Sequence, residues 1–197
     1  MKTILKPSNW KILRLFYDNN NKPLHLRDIS RKIKLNESTT STHLNNLVKD
    51  GILKTEKDAN LKKFSIYKNQ IPFIFPLFDY ERLDALSLVR KDAVKLYIKN
   101  LDKKPLLAIV FGSTAKGTFR KDSDVDILVI FPEKNDDKKT IDYVNSQTGI
   151  KIQTFKITEQ QFNEEIKLKK DKVIQSALET GFPVFNEKYY YEVINNE

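Results

Sequence analysis

Apolar positions in the first third of the chain fall three times at helical spacing and then alternate. Trp10, Ile12, Leu13, Leu15 and Phe16 supply one face of a helix that Ser8 can cap and that runs to about residue 17. The polar cluster 18–23, DNNNKP, breaks it. Leu26, Ile29 and Ile33 mark a second helix over 24–34, with Asp28 early and Arg31 and Lys32 late, as the helix dipole favours. Asn36 is suited to cap a third helix over 37–49, with Leu44, Leu47 and Val48 inside, and Gly51 stops it. Residues 52–56 and 61–67 read as two strands, joined by a hairpin turn at 57–60.

The pattern then changes. Residues 69–78 are apolar but punctuated by Pro72 and Pro76, which predicts a packed connector and forbids a continuous helix. One helix is predicted over 79–100, with Leu83, Leu86, Val89, Val94, Leu96 and Tyr97 as its apolar contacts. The run 106–111 reads as a buried strand, Gly112-Ser113 turns the chain into a short helix ending near Gly117, and 123–131 is a second strand. A helix over 138–147 ends at Thr148-Gly149, and 150–157 alternates as a third strand. Thr158, facing Gln161, opens a helix to residue 170. Another helix spans 171–180, with Gly181 as its cap. Tyr189, Tyr190 and Tyr191 are predicted to pack near the tail.

Composition narrows the chemistry. The chain of 197 residues has room for one large domain or two small ones, and 40% hydrophobic residues can build real cores. It has no cysteine, which excludes disulfides, thiolate metal sites and cysteine nucleophiles. No apolar run approaches the ~20 residues of a membrane span, and the first seven residues show no secretory signal, so a cytoplasmic protein without membrane partners is expected. The net charge of +9 is local: residues 1–70 hold 15 Lys and Arg against 6 Asp and Glu, whereas 71–197 hold 20 of each. A basic module joined to a neutral one points to nucleic acid as partner of the first.

The chemistry-bearing stretch is 111–131. Side chains alternate along a strand, so Asp124 and Asp126 face the same side. Two adjacent carboxylates repel unless a cation lies between them, and hard divalent ions favour such oxygen ligands. The Gly112-Ser113 turn offers backbone N–H groups of the kind that bind phosphate. A P-loop would need Gly-Lys-Ser/Thr where Lys116-Gly117-Thr118 stands. An EF-hand would need a glycine where Ile127 stands. Neither His25 nor His43 has a histidine or cysteine partner at ligand spacing, so neither is read as a metal ligand.

Gly112-Ser113, Gly117 and Ser123-Asp124-x-Asp126 ahead of an apolar strand resemble the signature of the DNA polymerase beta-like nucleotidyltransferase superfamily, and its minimal branch in particular. The likeness extends over about residues 101–187. It implies Asp124 and Asp126 as catalytic and metal-binding residues for Mg²⁺ or Mn²⁺. It implies Gly112, Ser113, Lys116, Gly117 and Arg120 as the nucleoside triphosphate site. Active members carry a third carboxylate on the next strand; the matching position here is Gln153, and no acid lies between Asp142 and Glu159. A glutamine adds no charge and is a poor base.

Residues 26–52, ending Leu44-x-x-Leu47-x-x-x-Gly51-Ile52, resemble winged helix-turn-helix regulators of the ArsR and MarR kind. In that likeness the third helix would present Ser38, Thr39, Ser41, Thr42, His43, Asn45 and Asn46 to double-stranded DNA. The hairpin would add Lys54, Lys57, Lys62 and Lys63.

The expected architecture is α+β in two domains, a winged helix-turn-helix over 1–70 and a nucleotidyltransferase-like α/β domain with a mixed sheet over 101–197. Residues 71–100 would be a connector and a helix suited to homodimer formation. Two functions stay open: a DNA-binding transcriptional regulator that binds nucleotide and Mg²⁺ without turnover, or an active Mg²⁺-dependent nucleotidyltransferase. The second would move a nucleoside monophosphate to a hydroxyl of protein, nucleic acid or a small molecule.

Overall fold

The computed structural model describes residues 6–58 and 61–195, with the backbone alone at Asp58. The predicted turn at 57–60 and the predicted absence of a signal in the first residues therefore lie partly outside the described residues. The chain divides into two compact units, Met1–Phe78 and Asp79–Glu197.

In the first unit, α1 (Pro7–Asp18), α2 (Leu26–Ile33) and α3 (Glu37–Lys49) pack with a three-stranded antiparallel sheet. Ser8 is not the cap: Pro7 occupies the first turn, where its missing N–H costs nothing, and Lys6 is the N-cap residue. Asn36 caps α3 as expected, its side chain accepting from the Thr39 N–H at 2.7 Å. Thr40 is buried with Leu44 and Leu47, its hydroxyl donating to the Asn36 carbonyl at 2.9 Å, whereas Val48, expected inside, is half-buried. The strands are β1 (Leu24–His25), β2 (Leu53–Asp58) and β3 (Leu61–Ile66), in the order β1-β3-β2. Residues 24 and 25 thus pair with Phe64 and Lys63 instead of opening α2.

α4 (Ile71–Asp84) is a continuous helix through both prolines, against expectation. Pro72 sits in the first turn, where no backbone donor is needed, so only Pro76 removes an internal bond. That costs about 3 kcal/mol or more. Ile71, Ile74, Phe75 and Phe78 are all buried, and burial of each such side chain contributes about 1.5–3 kcal/mol, which wins. Phe75 meets the Tyr17 ring edge-on, and Phe78 packs at a tilt against Tyr17 and Trp10. The boundary between the units falls inside this helix.

The helix predicted over 79–100 is interrupted: α5 (Leu88–Asn100) begins after an extended Ser87. The remaining elements are β4 (Leu107–Phe111), α6 (Gly112–Lys116), β5 (Val125–Phe131), α7 (Lys138–Thr148), β6 (Ile152–Thr158), α8 (Glu159–Leu168), α9 (Lys172–Thr180), β7 (Phe182–Phe185) and α10 (Glu187–Asn195). The sheet is mixed, in the order β6-β5-β4-β7, with only the β5–β6 pair parallel. β4 and most of β5 are buried on both faces, and Ala93, Val94 and Tyr97 of α5 pack on them. Thr158 forms the predicted capping box with Gln161. Gly181 is not a left-handed cap but extended; a Cβ there would lie 2.8 Å from the Val110 carbonyl oxygen, so close approach to β4 requires glycine. Tyr190 and Tyr191 are buried, and the Tyr191 hydroxyl donates to Asp79 at 2.8 Å.

Candidate functional sites

Asp126 sits in β5 opposite Phe111 on one side and Gln153 on the other. Asp124 lies two residues earlier, just ahead of the strand, and both carboxylates are half-buried. The turn into α6 explains the first glycine of the motif. Gly112 has φ +67°, and a Cβ on it would stand 2.3 Å from Oδ2 of Asp126. Only glycine lets the backbone meet the carboxylate. Burial, and then the charge of Asp124, push the Asp126 carboxyl above its ordinary pKa. Both causes disfavour the ionised carboxyl, and a cation between the two aspartates would offset them.

The donor set decides which metal complement fits. Two hard carboxylates side by side suit one divalent ion. The third position is Gln153, an exposed amide in direct register with Asp126. Among the described residues no group of three or more His, Cys, Asp or Glu could hold a metal. Lys116, Gly117 and Arg120 are exposed around the end of α6, and Gly117, at φ +68°, closes that helix. Ser113 is half-buried in its first turn.

Two arginines that the apolar pattern did not single out surround this turn. Arg90 on α5 is 2% exposed. Its guanidinium donates to the Thr114 hydroxyl at 3.2 Å and to the carbonyls of Arg120 at 3.0 Å and Ser123 at 2.7 Å. It also stacks over the Phe119 ring at 4.3 Å. Burial lowers its pKa, against the charge of Asp124, which raises it. Arg82 on α4 donates to Ala115, Thr180 and Gly181 carbonyls at 3.0, 2.9 and 3.0 Å. Eight residues apart on one straight helix, the two would lie about 12 Å apart along its axis. With the break at Ser87, both reach the five-residue α6. A signal was present in the sequence: Arg90, Ala93, Val94 and Tyr97 share one helical stripe, and that stripe is buried.

In the first unit, Ser38, Thr39, Thr42, Asn45 and Asn46 are exposed on α3 and Ser41 is half-buried. The His43 ring instead bonds Asn9 at 2.8 Å, tying α3 to α1. On the hairpin, Lys54 pairs with Glu56 at 2.6 Å and Lys63 stands opposite Glu56. Lys57 and Lys62 are exposed and stand directly opposite each other. Like charges in that position destabilise a hairpin unless an anion lies near. A groove of about 560 Å³ runs between α3 and β3, lined by Ser41, Asn45 and Lys62 and also by His25, Arg27 and Glu37. His25 and Arg27 were not among the expected contacts; they enter because β1 pairs with β3.

A Gly-Ser turn set against a strand that carries Asp126 and follows Asp124, on a mixed four-stranded sheet, is the arrangement of a nucleotidyltransferase-type domain. Three helices and a three-stranded wing sheet define a winged helix-turn-helix. Comparison of the sequence with family models agrees. The nucleotidyltransferase domain matches residues 91–184, and the bacterial regulatory protein, arsR family, matches residues 7–55. The chain joins an arsR-type helix-turn-helix domain to a nucleotidyltransferase domain. No curated protein and no solved structure matches it. Among the described residues, no helix is long and apolar enough to cross a membrane.

Proposed function

We propose that this protein is a DNA-binding transcriptional regulator whose second unit binds a nucleoside triphosphate with one divalent cation, and does not transfer the nucleotide. Asp124 and Asp126 would hold Mg²⁺ or Mn²⁺. Gly112, Ser113, Lys116, Gly117 and Arg120 would face the triphosphate. When bound, such a cation neutralises phosphate charge. The observation that carries the reading is the register of Gln153 against Asp126. Where transfer chemistry calls for a third carboxylate to activate the attacking hydroxyl, this chain offers a neutral amide. Binding loses less by that exchange than turnover does.

The DNA reading is supported by the Lys57–Lys62 pair and by the polar face of α3 beside the same groove. Ser38, Thr39, Ser41, Thr42, Asn45 and Asn46 would meet base edges and phosphates. His43 would contribute through its bond to Asn9, by fixing the helix. Self-association is a further part of the proposal, supported by Phe73 and Leu77, which lie four residues apart on α4 in the first unit and are 61% and 41% exposed.

The test is incubation with each labelled nucleoside triphosphate and Mg²⁺, with and without DNA, RNA and cell lysate. Saturable binding lost in the Asp124→Ala/Asp126→Ala variant, with no label transferred, is the expected result. Label moved to an acceptor would make the protein an active nucleotidyltransferase. For DNA, replacing Lys57 and Lys62 with alanine should lower the slope of log K against log salt by about 1.8 in magnitude. An unchanged slope would remove these lysines from the interface.

A further inference from the structure

The connection 118–124 carries Asp124 yet belongs to no helix or strand, so something outside it must fix where that carboxylate stands. Its own hydrogen bonds make one small turn. The Ser123 N–H donates to the Arg120 carbonyl at 3.0 Å, and the Arg120 N–H to the Ser123 hydroxyl at 2.8 Å. Both carbonyls that this turn presents inward, of Arg120 and Ser123, accept from the Arg90 guanidinium. The other nitrogen donates to Thr114, whose hydroxyl in turn lies 3.4 Å from the Asp124 carbonyl. One planar group thus joins α5, α6 and the acidic segment.

We propose that Arg90 is the positioning residue of the cation site: it holds the segment 118–124, and so Asp124, in place before any ligand arrives. The inference deepens the binding function proposed above and rests on it for the identity of the ligand. It lies beyond the family match, which begins at residue 91. Three features make arginine the residue for this place. A guanidinium presents several donors in a rigid plane, which a lysine ammonium cannot spread over Thr114, Arg120 and Ser123. Phe119 covers one face of that plane, so a residue of the held segment itself packs on its holder. The guanidinium also stays charged at any physiological pH, so none of these donors is lost.

Arg90→Lys in the full chain is the test, with Thr114→Val as the milder variant should the first not fold. Tyr97→Phe is the control, since Tyr97 lies on the same buried stripe but bonds Asp137, away from the segment. Amide hydrogen exchange is the first readout and needs no ligand. At the Arg120 and Ser123 amides it should rise at least tenfold in Arg90→Lys, with β4 and the middle of β5 unchanged. Tyr97→Phe should leave those two amides as they were. The second readout is Mn²⁺ alone, titrated by electron paramagnetic resonance. Its affinity should fall at least tenfold in Arg90→Lys and not in Tyr97→Phe. Unchanged exchange at 118–124, or a rise spread evenly over the unit, would overturn the proposal, as would equal loss of Mn²⁺ in both variants. If the unaltered protein takes up no Mn²⁺, the binding function falls while the exchange result still decides the role of Arg90.

Discussion

Gly112→Ala is the substitution whose cost can be worked out from the structure. The residue has φ +67°, a conformation that costs an L-residue about 1–2 kcal/mol. The new Cβ would also stand 2.3 Å from Oδ2 and 3.2 Å from Cγ of Asp126, so the carboxylate would have to shift. Relieving such overpacking costs about 1–3 kcal/mol more. Gly117 supplies the comparison: at φ +68° a Cβ added to it would meet nothing within 4 Å, so Gly117→Ala should cost only the backbone part. The two alanine variants should differ by about 1–3 kcal/mol, and that difference measures the contact with Asp126. In an Asp126→Ala background the nearest surviving atom is the Cβ at 3.5 Å, an ordinary contact, so the difference should vanish. The single tryptophan, Trp10, lies in the other unit, and its fluorescence would miss the event. Native-state hydrogen exchange at the β4 and β5 amides reads the right unit. Equal costs for Gly112→Ala and Gly117→Ala, or a difference that survives removal of the carboxylate, would refute the packing of Gly112 on Asp126.

Asp126→Asn should stabilise the second unit slightly at neutral pH, the effect being screened because the carboxyl is only half-buried, while abolishing cation uptake. The sign follows from linkage: a carboxyl whose folded pKa is raised binds its proton more tightly when folded. Stability then falls as pH rises from the ordinary carboxylate range through the raised value, and the amide removes that loss. Thermal melts across that pH range would show it, and a destabilised variant would count against the raised pKa. Lys57→Glu should strengthen the hairpin by about 0.2–1 kcal/mol, because it turns a like pair with Lys62 into an opposite one, and should weaken DNA binding. Exchange at the β3 amides and a DNA titration check both halves; a looser hairpin would sink the argument. Phe73→Lys with Leu77→Lys should lower the molar mass seen by light scattering after size exclusion, and a single-chain mass for the unaltered protein would end the dimer reading.

Much of the first unit could be read from periodicity because its helices are short and amphipathic. Asn36 and Gly51 punctuate α3 where expected. The errors came where tertiary burial outweighed a local rule. Pro76 should end a helix, yet four buried side chains of α4 hold it. Leu24 and His25 read as helix because nothing local reveals that β3 will pair with them. In the second unit the spacing of glycines and aspartates singled out the acidic pair, and it was the family resemblance that pointed to Gln153. The strand partner of Asp126, however, is a fact of three dimensions that no single strand records.

Arg90 shows why the rest of the site was hidden. Pattern reading sorts arginine with the solvent-facing residues, since a buried charge without partners costs too much. The partners here are the carbonyls of Arg120 and Ser123, that of Lys121 at 3.5 Å, the Thr114 hydroxyl and a phenyl face. Backbone carbonyls are supplied by every residue and so leave no mark in a sequence. What the sequence does carry is the misplacement itself, a positive residue at the head of the stripe that continues through Ala93, Val94 and Tyr97. An arginine that breaks an otherwise apolar helical face must either expose that face or find oxygens for every nitrogen. Oxygens dense enough to do so occur where a chain turns without secondary structure. The charge on α5 thus pointed to a fixed turn, and the turn it fixes carries Asp124.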